Sequence, residues 1–398
     1  MKNIYITYAK RTPIGNFAGS LSSVRVDDLL ATLFKHFKNQ CSFDLKEIDD
    51  VIVGCANQAG EDNRNLARMS SLLAGFPFEV PGTTVNRLCG SSLDAIQLAY
   101  AKIQAGLGDC IVVGGAESMS RAPYVMSKAD NAFSRAQQMW DTSLGWRFPN
   151  AEMEKLFPLL SMGETAEEVA KEYKIARADQ DKFAFASHQK ALKAQKENLF
   201  KDEIVPVLVK DKKQEKLIAT DEGPRADTNL DKLASLRPVF KKDGSVTAGN
   251  SSSINDGASC VLVVSEEFLK RHNLKPLLKI TGAAVAGLHP NVMGVGPIYA
   301  TQKLCQKLKI KATDFDAVEL NEAFAAQSLA CLRELKLDEA KVNMNGGAIA
   351  LGHPLGSSGA RIVTTLAHIM QKNNLQKGLA TMCIGVGQGI ALSVENCK

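Results

Sequence analysis

Residues 85–92 read Val-Asn-Arg-Leu-Cys-Gly-Ser-Ser. Cys89 ends an apolar stretch, and small residues that start helices follow it at once. Ser91 or Ser92 can cap that helix, and Ser91-x-x-Asp94 resembles a capping box. A thiol placed there meets unsatisfied N–H groups and the positive end of a helix dipole. Both favour the thiolate and lower the thiol pKa. Cys89 therefore reads either as a packed thiol at a tight junction or as a nucleophile.

A second stretch, residues 345–359, sets five glycines around His353. Glycine allows backbone approaches that a side chain forbids, and Pro354 restricts the backbone before it. The other histidines (His36, His188, His272, His289, His368) stand in polar or helical contexts. A thiol and an imidazole within reach of one another make an activated nucleophile. Cys383 lies in Met-Cys-Ile-Gly-Val-Gly-Gln-Gly, a strand running into a glycine turn. Gly385, Gly387 and Gly389 can leave N–H groups free to face an oxyanion. Dinucleotide binding by the same glycines is disfavoured, because no clear helix follows and the third spacing is wrong. Asn321 ends the apolar run Ala317 to Leu320. Its amide reads as a helix N-cap or as a group that orients a water or a carbonyl.

The elements that position these residues repeat. Residues 46–56 resemble residues 312–322, with Asp50 on Asp316. At the same offset Gly90-Ser91-Ser92 falls on Gly356-Ser357-Ser358. Each precedes a helical pattern and then a strand beginning Cys-Ile, at Cys110 and at Cys383. Three matches in one order argue for two related halves. Leu355 is then the counterpart of Cys89, which brings His353 close to the candidate nucleophile.

Strands and helices alternate in both halves. The first gives strands at Ile4 to Ala9, Asp50 to Ala56, Thr83 to Leu88 and from Cys110. The second gives strands at Lys279 to Ala286, Ala317 to Leu320, Val342 to Met344 and from Thr381. This predicts an α/β fold with helices covering a mostly parallel sheet. Residues 121–246 break the rhythm. They hold both tryptophans, a long helical pattern from Thr165 to Lys196, and the charged run Lys210 to Lys216, which reads as a solvated face. We expect halves at 1–120 (completed by about 247–270) and 271–398, with 121–246 as an inserted loop domain.

Composition narrows the function classes. The chain has 398 residues, 45% of them hydrophobic and 23% charged, as in a soluble enzyme. Its nine cysteines are an odd number without a Cys-x-x-Cys pair, which fits neither a disulfide framework nor a zinc site. The net charge of +5 is too weak a bias for nucleic acid. No apolar run is long enough to span a bilayer, and no signal segment opens the chain. A cytoplasmic enzyme is expected.

Taken together, the four stretches resemble the thiolase family over nearly the whole chain. They are Val-Asn-Arg-Leu-Cys-Gly-Ser-Ser, Asn-Glu-Ala-Phe from Asn321, Gly-Gly-Ala-Ile-Ala-Leu-Gly-His-Pro around His353, and Cys-Ile-Gly-Val-Gly-Gln-Gly from Cys383. The resemblance implies a layered αβαβα sandwich and an acyltransferase acting on coenzyme A thioesters. Cys89 would carry the acyl group, with His353 as its base. Cys383 would move the proton at the α-carbon of acetyl-CoA. His353 and a water held by Asn321 would stabilise the enolate oxygen. The N–H groups of Cys89 and Gly385 would stabilise the tetrahedral oxyanion.

The resemblance further implies coenzyme A contacts at Arg225, Phe240, Ala248 and Ser252, with Met162 and Phe324 at the thioester end. It implies no permanently bound cofactor, no metal, and a homodimer or homotetramer. One departure is Ser251-Ser252-Ser253, where the family pattern usually ends in glycine. The stretches Ser120 to Met126, Asp141 to Phe148 and Ser161 to Glu167 look like degradative thiolases, nearest to those acting on 3-oxoadipyl-CoA, which often have proline at the Gly163 position. Breakdown of fatty 3-ketoacyl-CoA and acetoacetyl-CoA cleavage stay open, as each methylene is worth only about 1–3 kcal/mol of discrimination. A hydroxymethylglutaryl-CoA synthase or ketoacyl synthase shares the architecture but needs no second thiol such as Cys383.

Overall fold

The computed structural model describes residues 2–211 and 214–397. Its main sheet has ten strands. The order across it is Ala317–Leu320, Lys377–Ile384, Gln388–Asn396, Leu278–Gly287, Ile4–Arg11, Asn255–Ser265, Cys110–Ser118, Asp50–Gly54 and Gly82–Val85. The two-residue strand Gly15–Asn16 pairs with Asn255–Ser265. The halves meet at a short antiparallel contact, Tyr5 with Lys279 and Ile6 with Leu278.

From that seam each half runs outward by the same rule: two antiparallel pairs, then a parallel one. Ile4–Arg11 is followed by Asn255–Ser265, Cys110–Ser118 and Asp50–Gly54. Leu278–Gly287 is followed by Gln388–Asn396, Lys377–Ile384 and Ala317–Leu320. The duplication read from sequence is thus a duplication of pairing.

The sheet is mixed rather than mostly parallel. In the second half Ile384 pairs directly with Gln388 across a three-residue loop. A loop that short makes a hairpin, whereas a parallel return needs a crossover helix. The strand expected at Val342 to Met344 is reduced to one parallel bridge from Val342 to Val318. Asn343 adopts a left-handed backbone (φ 46°). Its side chain takes over the hydrogen bonds that a strand would make, to the Leu320 N–H and C=O at 2.9 and 2.8 Å. The long helix expected over Thr165 to Lys196 is two helices, Met162–Glu172 and Arg177–Lys196. Lys174, at φ 53°, ends the first, and the Ile175 N–H returns to the Ala170 carbonyl. The Lys210 to Lys216 run forms the tip of a hairpin of Val207–Asp211 and Gln214–Ile218. Its residues 212 and 213 lie outside the described residues.

Two helices fill the middle of the fold, Ser91–Gln104 and Leu355–Asn373. The Ser91 helix packs on Asp50–Gly54 and Cys110–Ser118 and also touches Gln388–Asn396. The Leu355 helix packs on Lys377–Ile384 and also on Cys110–Ser118 and Asn255–Ser265. Each central helix therefore contacts both halves of the sheet. Outside, Val26–Gln40 covers the first half and Gly296–Leu308 the second. The result is the five-layer α/β sandwich. No helix among the described residues is long and apolar enough to cross a membrane.

The central helices approach so closely that side chains do not fit between them. A Cβ on Gly359 would overlap the Leu93 backbone nitrogen, and one on Gly54 would overlap the Ser92 nitrogen. The Ser92 hydroxyl accepts the Ala360 N–H at 2.8 Å. Gly359→Ala should therefore destabilise the protein by about 3 kcal/mol, as overpacking against rigid backbone does. Denaturant unfolding should be compared with Gly287→Ala, on an exposed strand end without a positive φ, where a Cβ meets only the Gly387 carbonyl at 3.9 Å. Equal losses would show that close approach is not what Gly359 provides.

Candidate active site

Cys89 sits on a turn held from both sides. Leu88 is left-handed (φ 48°), and its N–H donates to Asn86 Oδ1 at 2.8 Å. The Gly90 and Ser91 N–H groups return to the Arg87 and Leu88 carbonyls. The expected capping box is absent. Gly90 is the N-cap, the Ser91 hydroxyl donates back to the Leu88 carbonyl at 2.6 Å, and Asp94 pairs with Arg87 at 2.8 Å. The side chains expected to cap the helix hold the turn instead.

The expected lowering of the Cys89 pKa is reversed. Burial pushes the thiol up to about 11, against the N–H groups of Gly385 and of Cys89 itself, which pull it down. Desolvation outweighs the helix terminus, because a thiolate in an apolar wall loses its water. Those same two N–H groups are the ones sequence resemblance assigned to an oxyanion.

His353 lies between the short helix Ala348–Leu351 and the Leu355 helix. Gly352 before it has φ 107°, and a Cβ there would overlap the Asn255 side chain. Asn255 Oδ1 accepts the His353 N–H at 2.9 Å. The Ser253 hydroxyl donates to the same oxygen at 2.9 Å. The third serine therefore braces the residue that holds His353.

The hydrogen bonds fix the ring's proton. Ser358 Oγ donates to the Pro354 carbonyl at 2.9 Å, so toward His353 Nδ1, 2.6 Å away, it accepts. Nδ1 carries the hydrogen and Nε2 keeps a lone pair. Asn321 Nδ2 stands 3.3 Å from Nε2. Burial first, and Arg361 second, push the imidazole down to about 3, so it is neutral at ordinary pH.

Asn321 is not an N-cap; Phe324 holds that position for the helix Ala325–Leu335. Asn321 Oδ1 is buried without a hydrogen-bond partner among the described residues. Such an atom calls for a water or a ligand. Cys383 ends its strand one wall away. Burial and the neighbouring Cys89 hold its thiol well above the ordinary range. Gly385, Val386 and Gly387 form the hairpin loop that brings the Gly385 N–H to the Cys89 sulfur.

All of these candidate catalytic residues but Asn321, which stands behind His353, line one cavity of about 260 Å³. Cys89, His353, Cys383 and Gly385 face it, as do Met162, Ser252 and Phe324. Arg225 and Ala248 line a second cavity of about 190 Å³, and Ser253 borders both. Phe240 lines neither. It packs edge-on to Phe324, and Gly163 has no side chain because the Phe240 ring occupies its place.

Sequence reasoning missed Glu117 and Arg147, which also line the first cavity. Glu117 accepts N–H groups of Ala56 and Gly356 at 2.9 Å and of Asn57 at 3.2 Å. Burial still pushes its carboxyl up to about 7. The signal for it was a lone acid at the end of the apolar strand Cys110–Ser118, where α/β folds place ligands.

The arrangement offers a thiol nucleophile, a neutral base, a second thiol and two N–H groups around one space. Comparison with known proteins gives the family. Residues 4–267 match the thiolase N-terminal domain and residues 274–396 the thiolase C-terminal domain. The beta-ketoadipyl-CoA thiolase of Pseudomonas knackmussii is 53% identical over 397 residues, 99% of each chain. The 3-oxoadipyl-CoA/3-oxo-5,6-dehydrosuberyl-CoA thiolase of Escherichia coli is 51% identical over 399 residues, covering 99% of this chain and 100% of that one. The crystal structure of Bacillus anthracis acetyl-CoA acetyltransferase superposes with a TM-score of 0.94 at 41% identity, over 100% of this chain and 99% of that one. Human mitochondrial 3-ketoacyl-CoA thiolase follows at 0.93 and 38%, with the same coverage. With both domains matched in order and the fold shared end to end, the chain belongs to the thiolase family.

Proposed function

We propose that this acyltransferase cleaves 3-oxoadipyl-CoA with coenzyme A, giving acetyl-CoA and succinyl-CoA. The carrying observation is the convergence of Cys89, His353 and Cys383 on one cavity, with the Gly385 N–H at the sulfur. The names of the relatives at about half identity support the dicarboxylic acyl chain over a fatty one.

His353 Nε2 takes the Cys89 proton as sulfur attacks the 3-keto carbon. The N–H groups of Cys89 and Gly385 receive the oxyanion. Its collapse breaks the bond between C2 and C3 and leaves the acyl group on Cys89. The electron pair becomes the acetyl-CoA enolate, whose oxygen meets His353 and the water we place on Asn321. Cys383 gives its proton to C2. It then takes the proton of the incoming coenzyme A thiol, which attacks the acyl-Cys89 thioester, and the departing Cys89 sulfur recovers its proton from His353 Nε2.

Coenzyme A is a substrate and enters past Arg225 and Ala248 toward Ser252, Met162 and Phe324. We take residues 121–246 as the insert supplying this wall. The exposed Tyr124, Met126 and Met139 of its first hairpin support assembly into a homo-oligomer.

Wild type should cleave 3-oxoadipyl-CoA with a higher kcat/KM than acetoacetyl-CoA or a long-chain 3-ketoacyl-CoA. A long-chain preference would replace the substrate while leaving the reaction class. Intact mass spectrometry should show a succinyl adduct that Cys89→Ala abolishes. Cys383→Ala should lose at least about 1000-fold in turnover, because a step made only in the transition state is removed. An adduct that survives in Cys89→Ala would refute the nucleophile.

The folded His353 pKa, about 3, lies below its ordinary 6.5. The unfolded chain thus binds this proton first, and stability drains as pH falls from 6.5 toward 3. The ring's ¹³Cε1 resonance, identified by its absence in His353→Asn, should stay in its neutral position down to pH 5. A midpoint near 6.5 would contradict the neutral base.

A further inference from the structure

The first cavity has an apolar side and a polar end. Leu88, Met119, Leu144, Trp146 and Leu355 supply the apolar surface. Arg147 is the one lysine or arginine among its described lining residues. The guanidinium is half-buried and has no carboxylate partner among the described residues. Its two protein bonds go to neutral oxygens of Asn57, Nη1 to Oδ1 at 3.2 Å and Nη2 to the backbone carbonyl at 2.7 Å. A guanidinium has five N–H groups, so three remain for something else.

Asn57 itself is fixed. Its N–H goes to Glu117 and its Nδ2 to Thr142, at 3.2 Å to the carbonyl and 3.1 Å to the hydroxyl. Arg147 is thereby held on the rigid end of the Asp50–Gly54 strand rather than left free in its loop. The nearby Glu117 carboxyl turns its oxygens onto backbone N–H groups, away from any need for the cation. A cation in a partly apolar cavity, without its own anion, is a receptor for one.

We propose that Arg147 is a specificity-determining residue that binds the distal carboxylate of the acyl chain. This rests on the 3-oxoadipyl reading above. With C3 at the Cys89 sulfur, the chain runs three carbon–carbon bonds further to its carboxylate, about 4 Å when extended. A chain ending in methyl would leave the guanidinium desolvated and unpaired, which penalises fatty substrates as well as rewarding dicarboxylic ones.

The test compares 3-oxoadipyl-CoA with 3-oxohexanoyl-CoA, the same chain length ending in methyl, for wild type, Arg147→Met and Arg147→Lys. The ratio of kcat/KM values, adipyl over hexanoyl, should fall about 30- to 100-fold in Arg147→Met, the worth of a hydrogen bond to a charged group. The loss should appear mainly in KM, and Arg147→Lys should restore part of the ratio. Any loss common to both substrates belongs to the tie between Arg147 and Asn57. A wild-type preference that survives Arg147→Met unchanged overturns this inference alone. A wild type without the preference overturns the substrate reading and this inference together.

Discussion

The close packing of the two central helices sets everything else. Their glycines, Gly356 and Gly359, with Gly54 and Gly115 on the strands beside them, remove the side chains that would hold backbones apart. Van der Waals contact between backbones is stiff, since nothing can rotate out of the way. Both helices therefore start in fixed places, and the turns before them carry Cys89 and His353. Glu117 adds a carboxylate on the Gly356 N–H, at the positive end of the Leu355 helix. The pseudo-symmetry thus has a chemical use: equivalent helix starts from two halves deliver unlike residues to one space.

Burial then decides protonation. A helix N-terminus alone favours a thiolate at Cys89, yet the apolar wall makes it a thiol, and the same burial keeps His353 neutral. The resting thiol–imidazole pair holds no separated charge. Transfer of the proton from sulfur to imidazole is uphill in the resting pair. The unpartnered Asn321 Oδ1 has the same logic, a polar atom kept ready at the cost of its own solvation.

Sequence showed what is local or repeated. The Gly-Ser-Ser pairs, the Cys-Ile strands and the residues around Cys89, His353 and Cys383 were all visible, and most strands fell where alternation placed them. Strand direction was not, because periodicity says which faces are buried and not which neighbour is paired. The Val342 strand failed because Asn343 bonds with its side chain where a backbone would. The helix from Thr165 failed at Lys174, a residue without the usual signature of a left-handed break. Arg147 and Glu117 were hidden by a general limit. A charged residue in a loop, as Arg147 is, or near the end of a strand, as Glu117 is, is ordinarily solvated, and only the three-dimensional arrangement shows it facing a cavity.

A buried charge cluster ties the segment from Glu203 to Arg225 to the middle of the sheet. Arg11, on the strand at the seam, donates from Nε to Glu203 at 2.7 Å and from both terminal nitrogens to Asp221 at 2.7 and 2.9 Å. All three side chains are shut off from solvent. Desolvating these ions cancels much of their attraction, so the cluster contributes modestly to stability. Its geometry is another matter: a bidentate fork accepts one orientation of its partner. Asp221 leads directly into Gly223, where a Cβ would overlap the Ala350 carbonyl on the helix just before His353. Arg225 follows on the same segment. The chain that lines the second cavity is therefore clamped between the central strand and the backbone leading to His353. Any sliding of this segment would break the fork and move Arg225 relative to His353.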